Sequence, residues 1–206
     1  MATKPRSVKS RARQQQQNTS QQVLDVAERL VQVRGFNAFS YADVATELGI
    51  TNASLHYHFP GKAALGQALI TRYAERFLQT LEQIDTEAED APSKLTAYAD
   101  LYADTLRGQR MCLCGMLAAD YQTLPKPMAD AVVKFFDDNE RWLERVLEQG
   151  RTDNTLKLDG SAVDTARLII GGLEGAMLVA RPYGDLARFE NTALALLATL
   201  AGTDSR

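Results

Sequence analysis

The sequence predicts an all-α protein of about nine helices, built as a small N-terminal three-helix head followed by a larger helical body. Three observations predict it. From Ser20 onward apolar residues recur at helical rather than strand spacing, Gly and Pro breaks divide that pattern into helix-length segments, and no hairpin signal separates strand-like runs. The chain has 206 residues, 45% of them apolar, which is enough to fill a real core. Its domains are expected at 1–18, a basic disordered arm; 19–79, the head; and 80–206, the body.

The arm is read from charge. The net charge of −3 hides an asymmetry, because Lys4, Arg6, Lys9, Arg11 and Arg13 lie in the first thirteen residues with no acid among them. Removing these five from the 23 basic residues leaves 18 against 26 acidic ones. A basic, Gln-rich segment on an acidic body is either an arm that neutralises phosphates on a polyanion or a solubilising tail. If it is an arm, Arg6, Lys9, Arg11 and Arg13 are its contacts.

The first helix is expected from Ser20, with Val23, Val26, Ala27, Leu30 and Val31 on one stripe, ending near Gly35 where a left-handed cap is easy. Phe36 and Phe39 then plug the core. Ser40 opens the second helix, Tyr41 to Leu48, with Asp43 three residues on completing an approximate capping box. Gly49 stops it, Ile50 anchors the turn, and Thr51 caps a third helix through Tyr57 that Pro60 and Gly61 end. A fourth helix from Lys62 to about Ile84 carries Leu65, Leu69, Tyr73 or Arg72, Phe77 and Leu81 inward, and would extend roughly 34 Å. Thr86 to Pro92 reads as a surface turn. Five more helices are expected: Ser93 to Arg107, Cys112 to Thr123, Met128 to Gln149, Ser161 to Ala180 and Asp185 to Ala201.

Two short helices joined by a Gly-containing turn, the second polar on its outward face, meet the needs of a helix-turn-helix. Thr51, Asn52, Ser54, His56 and Tyr57 offer hydroxyl, amide, imidazole and phenol groups that can reach base edges, while Ala53 lets the backbone approach a groove. Leu55 and Phe59 point back into the core. Lys62, Ser40 and Tyr41 are placed to grip phosphates. The plainer alternative is a small helical subdomain with a polar surface.

The order of residues adds to this. Phe39-Ser40-Tyr41-Ala42-Asp43-Val44-Ala45, Leu48-Gly49-Ile50-Thr51, Ser54-Leu55-His56-Tyr57-His58-Phe59 and Lys62-Ala63-Ala64-Leu65 closely resemble the TetR family of repressors, over an unbroken stretch from Leu24 to about Leu69. The resemblance implies a homodimer of all-α subunits that binds double-stranded operator DNA and carries a ligand-binding body. It assigns Thr51, Asn52, Ala53, Ser54, His56 and Tyr57 to the recognition helix and Lys62 to a phosphate. The family often has a basic residue and a glycine where Asn52-Ala53 stand, and a charged or polar pair at Pro60-Gly61. From Ser20 to Glu75 there are four basic and five acidic residues, so the arm is expected to supply much of the attraction to DNA.

In the body the last two helices carry Ile169, Ile170, Leu173, Met177 and Leu178, then Phe189, Leu194, Leu196, Leu197 and Leu200. The resemblance implies that such a pair forms a four-helix dimer interface, with Gly171, Gly172 and Gly175 allowing close approach; alternatively they complete the monomer's own core. A small-molecule effector pocket is expected among Leu101, Tyr102, Met116, Leu117, Tyr121, Phe135, Phe136, Trp142, Leu173 and Met177, though the same residues could be plain core. A ligand there would favour one dimer geometry over another.

Cys112 and Cys114 sit one residue apart, which suggests a reducing compartment rather than a disulfide scaffold. Their segment resembles a body helix in a subgroup of these repressors, some of which respond to electrophiles or oxidants. A thiolate at a helix start gains from the dipole, whereas a buried cysteine is only a small hydrophobe.

Other classes fit less well. The apolar stretches fall short of the roughly 18 residues that span a bilayer, and no apolar segment follows the basic start, so a cytoplasmic protein without membrane partner is expected. His56 and His58 diverge by about 200° on one helix and cannot share a metal. No cofactor is expected. A helical thiol-dependent enzyme around Cys112 and Cys114, or an adaptor using its apolar C-terminal helices, are the remaining alternatives; the chain is expected not to be an enzyme.

Overall fold

The structure is a computed structural model that describes residues 8–200, with side chains described from Gln16 onward. It holds nine α-helices among the described residues: α1 Val8–Arg34, α2 Tyr41–Leu48, α3 Asn52–His58, α4 Lys62–Glu87, α5 Ala91–Arg107, α6 Leu113–Ala119, α7 Lys126–Thr152, α8 Ala162–Ala180 and α9 Leu186–Ala198. Short 3-10 turns follow α6 at Tyr121–Thr123 and α8 at Arg181–Tyr183.

The helix starts follow capping chemistry. Ser40, Thr51, Asp90, Ser161 and Asp185 each accept a backbone N–H of the following turn, satisfying donors that have no partner inside the helix. At Ser40 the capping box is reciprocal, since Asp43 also accepts from the Ser40 backbone N–H at 2.7 Å. Gly49 closes α2 at φ 64°, a left-handed conformation that suits glycine.

Several boundaries differ from expectation, each for a local reason. α1 begins at Val8 rather than Ser20, so the arm expected over 1–18 is helical from Val8. Gln, Arg, Lys and Ala are good helix formers, and no Gly or Pro interrupts the run after Pro5. α4 continues to Glu87 and α5 starts at Ala91, which reduces the expected Thr86–Pro92 turn to its centre; Pro92 falls in the first turn of α5, where its missing N–H costs nothing. Pro127 does the same in α7. The helix expected over Cys112 to Thr123 ends at Ala119 and gives way to a 3-10 turn.

One continuous core runs through the chain. In the head, Val23, Ala27, Leu30 and Val31 of α1 meet Val44, Leu55, Phe36, Phe39 and Phe59. In the body, α7 packs on α8 and α4, and α8 packs on α9. Head and body meet where α1 lies against α6. There the Met111 N–H donates to the Gln32 carbonyl at 3.2 Å, and Asp120 Oδ2 accepts from Phe36 N at 3.0 Å. The Arg181 guanidinium donates to the Val33 carbonyl, adding a strut from the end of α8.

Candidate nucleic-acid interface and effector site

In α3 the side chains divide as helical spacing requires. Leu55 and Phe59 are buried, while Thr51, Asn52, Ala53, His56 and Tyr57 are exposed and Ser54 is half-buried. Tyr57 is 73% exposed, so its ring stands out from the head. Its hydroxyl accepts from Gln16 Nε2 at 3.0 Å, so the N-terminal part of α1 lies beside α3. Arg6 lies outside the described residues; Lys9, Arg11 and Arg13 are described only as backbone of α1.

The expected phosphate-gripping residues prove to be structurally engaged. The Tyr41 hydroxyl donates to the Phe59 carbonyl at 2.9 Å and burial pushes its pKa up to about 12, which ties α2 to the end of α3. Ser40 is exposed, with its hydroxyl donating to Asp43 Oδ2 at 2.6 Å. Lys62 Nζ donates to the Phe39 carbonyl at 2.6 Å and lies 4.5 Å from the Phe39 ring centre and 4.8 Å from that of Phe36. Desolvation lowers its pKa. Two further head cations are paired: Arg29 with Glu47, and Arg72 with Asp25 and Glu28.

The body places some of the expected pocket residues together. Tyr102, Phe135 and Trp142 join Tyr73, Phe77 and Tyr98 in one aromatic cluster: the Phe77 and Phe135 rings are 5.2 Å apart, and Tyr98 stacks on Trp142 at 5.5 Å. The Tyr98 and Tyr102 hydroxyls are 3.0 Å apart, and Tyr98 donates to Asn139 Oδ1 at 3.1 Å. Phe136 sits beside Phe135, and Leu101 lines a cleft of about 170 Å³ with Tyr73, Arg76, Phe77 and Thr105. Leu117, Leu173 and Met177 are buried core, and half-buried Met116 takes a contact from Arg181 through its sulfur at 3.7 Å. Tyr121 does not belong with them; it is 43% exposed on the 3-10 turn, because α6 stops short of it.

Five residues of this site were missed from sequence. Tyr73 and Phe77 read as inner residues of α4 but not as pocket; Tyr98 and Asn139 carried no signal beyond helical spacing. Glu174 was missed altogether. It projects from α8 onto α6, where a Cβ on Gly115 would collide with its carboxylate. The Cys112 thiol donates to it, and Cys112 Sγ in turn accepts from the Tyr73 hydroxyl at 3.7 Å and from Gly115 N at 3.5 Å. Burial pushes the Glu174 carboxyl up to about 7, partly offset by the thiol.

Cys112 caps α6, as the resemblance led one to expect, but the helix start does not make it a thiolate. Burial first, and the Glu174 charge next, push the Cys112 thiol well above its ordinary pKa, and Cys114 is raised likewise. Among the described residues, no group of three or more His, Cys, Asp and Glu could hold a metal, and no helix is long and apolar enough to cross a membrane.

The outer faces of α8 and α9 carry exposed Leu168, Leu178, Val179 and Leu194, all more than half exposed. Gly171 and Gly175 open onto empty space on that side, whereas Gly172 packs on Leu196 of α9. Ile169, Ile170, Leu173, Met177, Phe189 and Leu200 instead complete the subunit's own core.

A two-helix reading unit with a polar outward face, on an all-helical body with an aromatic interior, defines a helix-turn-helix DNA-binding regulator. Comparison with known proteins supports the class. Residues 23–69 match "Bacterial regulatory proteins, tetR family", and residues 91–196 match "Tetracyclin repressor-like, C-terminal domain". A TetR-family transcriptional regulator from Agrobacterium tumefaciens superposes with a TM-score of 0.87 at 31% identity, over 90% of this chain and 99% of that one. A TetR regulator from Legionella pneumophila gives 0.81 at 35% identity, over 88% and 97%. The transcriptional repressor NemR of Escherichia coli K12 is 24% identical over 181 residues, 84% of this chain and 89% of its own. The chain belongs to the tetR family of bacterial regulatory proteins: it is a ligand-responsive DNA-binding transcription regulator and not an enzyme.

Proposed function

We propose that the chain is a homodimeric repressor that reads its operator with Asn52, Ser54, His56 and Tyr57 and releases it when a small molecule enters the aromatic interior of the body. The observation that carries the reading is the division of α3, with Leu55 held in the core while Asn52, His56 and Tyr57 stand outside. A helix face whose polar side chains stand outside the core is what base-edge recognition requires. The second copy covers Leu168, Leu178, Val179 and Leu194, an apolar face with open glycines that favours close helix approach. Release follows from the junction at α6. A ligand among Tyr73, Tyr102 and Phe135 shifts α6, and Asp120 and Arg181 carry that shift to the end of α1.

Sensing of electrophiles through Cys112 draws no support from a thiol that is buried and held protonated. The test of the main reading is a gel shift of the chain's own promoter fragment at moderate salt. Asn52→Ala and Tyr57→Ala are expected to weaken the shift by on the order of tenfold each while the far-ultraviolet spectrum is unchanged. Retention of full affinity by both variants would remove α3 as the reading element.

A further inference from the structure

The body half-buries the Glu174 side chain and leaves part of its carboxyl without a partner, and that fact constrains what the interior binds. Glu174 Oε1 is buried with no hydrogen-bond partner. The carboxyl has one hydrogen-bonding neighbour, the Cys112 thiol, and none of the described lysines or arginines offsets its charge. A carboxyl oxygen buried without a partner is unfavourable, and a chain that only needed to fill this volume would be served by an apolar residue. Around it stand π faces and hydroxyls instead. The Glu174 charge acts on Tyr73 from α4, on Tyr98 and Tyr102 from α5, and on Cys112 and Cys114 from α6. Phe77 and Phe135 close the same cluster, with Tyr73 and Phe135 rings 5.7 Å apart.

From this juxtaposition we infer that the effector is an aromatic or alkyl organic cation, an amine or quaternary ammonium ion, whose positive centre pairs with Glu174 and lies against the rings of Tyr73, Tyr102 and Phe135. The inference rests on the effector reading above and adds the ligand's chemical class. A cation supplies both missing elements at once: a charge for the carboxylate, and a partner for electron-rich ring faces. A neutral ligand leaves the carboxylate unpaired, and an anion adds a like charge beside it.

A cleft opens onto the edge of the same aromatic cluster. The cleft of about 170 Å³ between α4 and α5 is lined by Tyr73, Phe77, Leu101 and Thr105, with Arg76, which is ion-paired to Glu28, at its edge. The site also touches the head. Glu174 rests on Gly115 of α6, and the residue that follows α6, Asp120, accepts from Phe36 N and Asn37 N at 3.0 and 3.3 Å. Pairing with a cation draws the carboxylate from Cys112 and loosens its hold on α6.

The test uses the full-length protein and isothermal titration with a panel of aromatic amines and quaternary ammonium ions of one to three rings. Each is matched with a neutral and an anionic isostere, phenethylamine with 2-phenylethanol and phenylacetate among them. The expected result is at least one cation bound on the order of tenfold more tightly than both isosteres, a preference that Glu174→Gln abolishes. Equal or tighter binding of the neutral or anionic member throughout, or an unaltered preference in the variant, overturns it. Should the glutamine variant fail to fold, the wild-type preference alone decides. A gel shift with the same panel separates the two readings: release of the promoter fragment by neutral or anionic compounds alone sinks the cation and keeps the effector, and release by none sinks both.

Discussion

Glu174 shows how one residue can set the behaviour of a site. Its carboxyl is pushed up to about 7 by burial, and the groups that face it, Tyr73 from α4, Tyr98 and Tyr102 from α5, and Cys112 and Cys114 from α6, are all raised and stay neutral near pH 7. A carboxyl whose pKa rises on folding binds more protons in the folded chain than in the unfolded one. Its contribution to stability is therefore complete below its ordinary range and is lost as pH rises through about 7. In the absence of ligand, the melting temperature of the wild type is expected to fall relative to that of Glu174→Gln between about pH 5 and pH 8. Parallel curves for the two proteins would mean that the carboxyl is not desolvated. Lys62 gives the complementary lesson: a cation assigned to phosphate is here bound by the Phe39 carbonyl and two rings. Any contact it makes with DNA is shared with a structural duty.

At the scale of elements, α8 and α9 each serve two surfaces. Ile169, Leu173, Met177 and Phe189 face the subunit's core, and Leu168, Leu178, Val179 and Leu194 face outward. Both alternatives open from sequence, core completion and dimer interface, thus draw on the same helices but on different residues of them. Leu178→Asp places a charge on the outer face only. It is expected to halve the mass seen in sedimentation at low micromolar protein and to abolish the promoter shift, with helical content retained. A variant that sediments like the wild type would exclude that face from the interface. α2 and α3 were legible to within a residue, because Ser40, Gly49 and Thr51 bound them by local hydrogen bonding and a left-handed turn. The start of α1 was not legible, since an amphipathic stripe marks only the part of a helix that packs.

For the whole molecule, the electrostatics are divided between a head whose cations are largely paired and an N-terminal segment rich in Lys and Arg. The hydrogen bond from Gln16 to Tyr57 sets the N-terminal part of α1 beside the reading helix. Replacing Lys4, Arg6, Lys9, Arg11 and Arg13 with glutamine keeps helix propensity and removes charge. Operator affinity is expected to drop and its salt dependence to flatten, by about 0.9 in the log–log slope for each DNA phosphate that is no longer neutralised. An unchanged slope would return the segment to a solubilising role. The junction at Asp120 and Arg181 joins this DNA-facing half to the aromatic interior, so a change in the body has a short path to the head.

The sequence by itself determined the helical class, the order of the elements and the bounds of α2 and α3, because these depend on spacing, caps and turns confined to a few neighbouring residues. Only the tertiary structure decided which apolar residues are core and which are free, and that Tyr121 stands apart from the interior. It alone brought Glu174, Cys112 and Tyr73 together from three helices distant in the chain. The burial that shifts a carboxyl's pKa is a property of that meeting, and no stretch of sequence contains it.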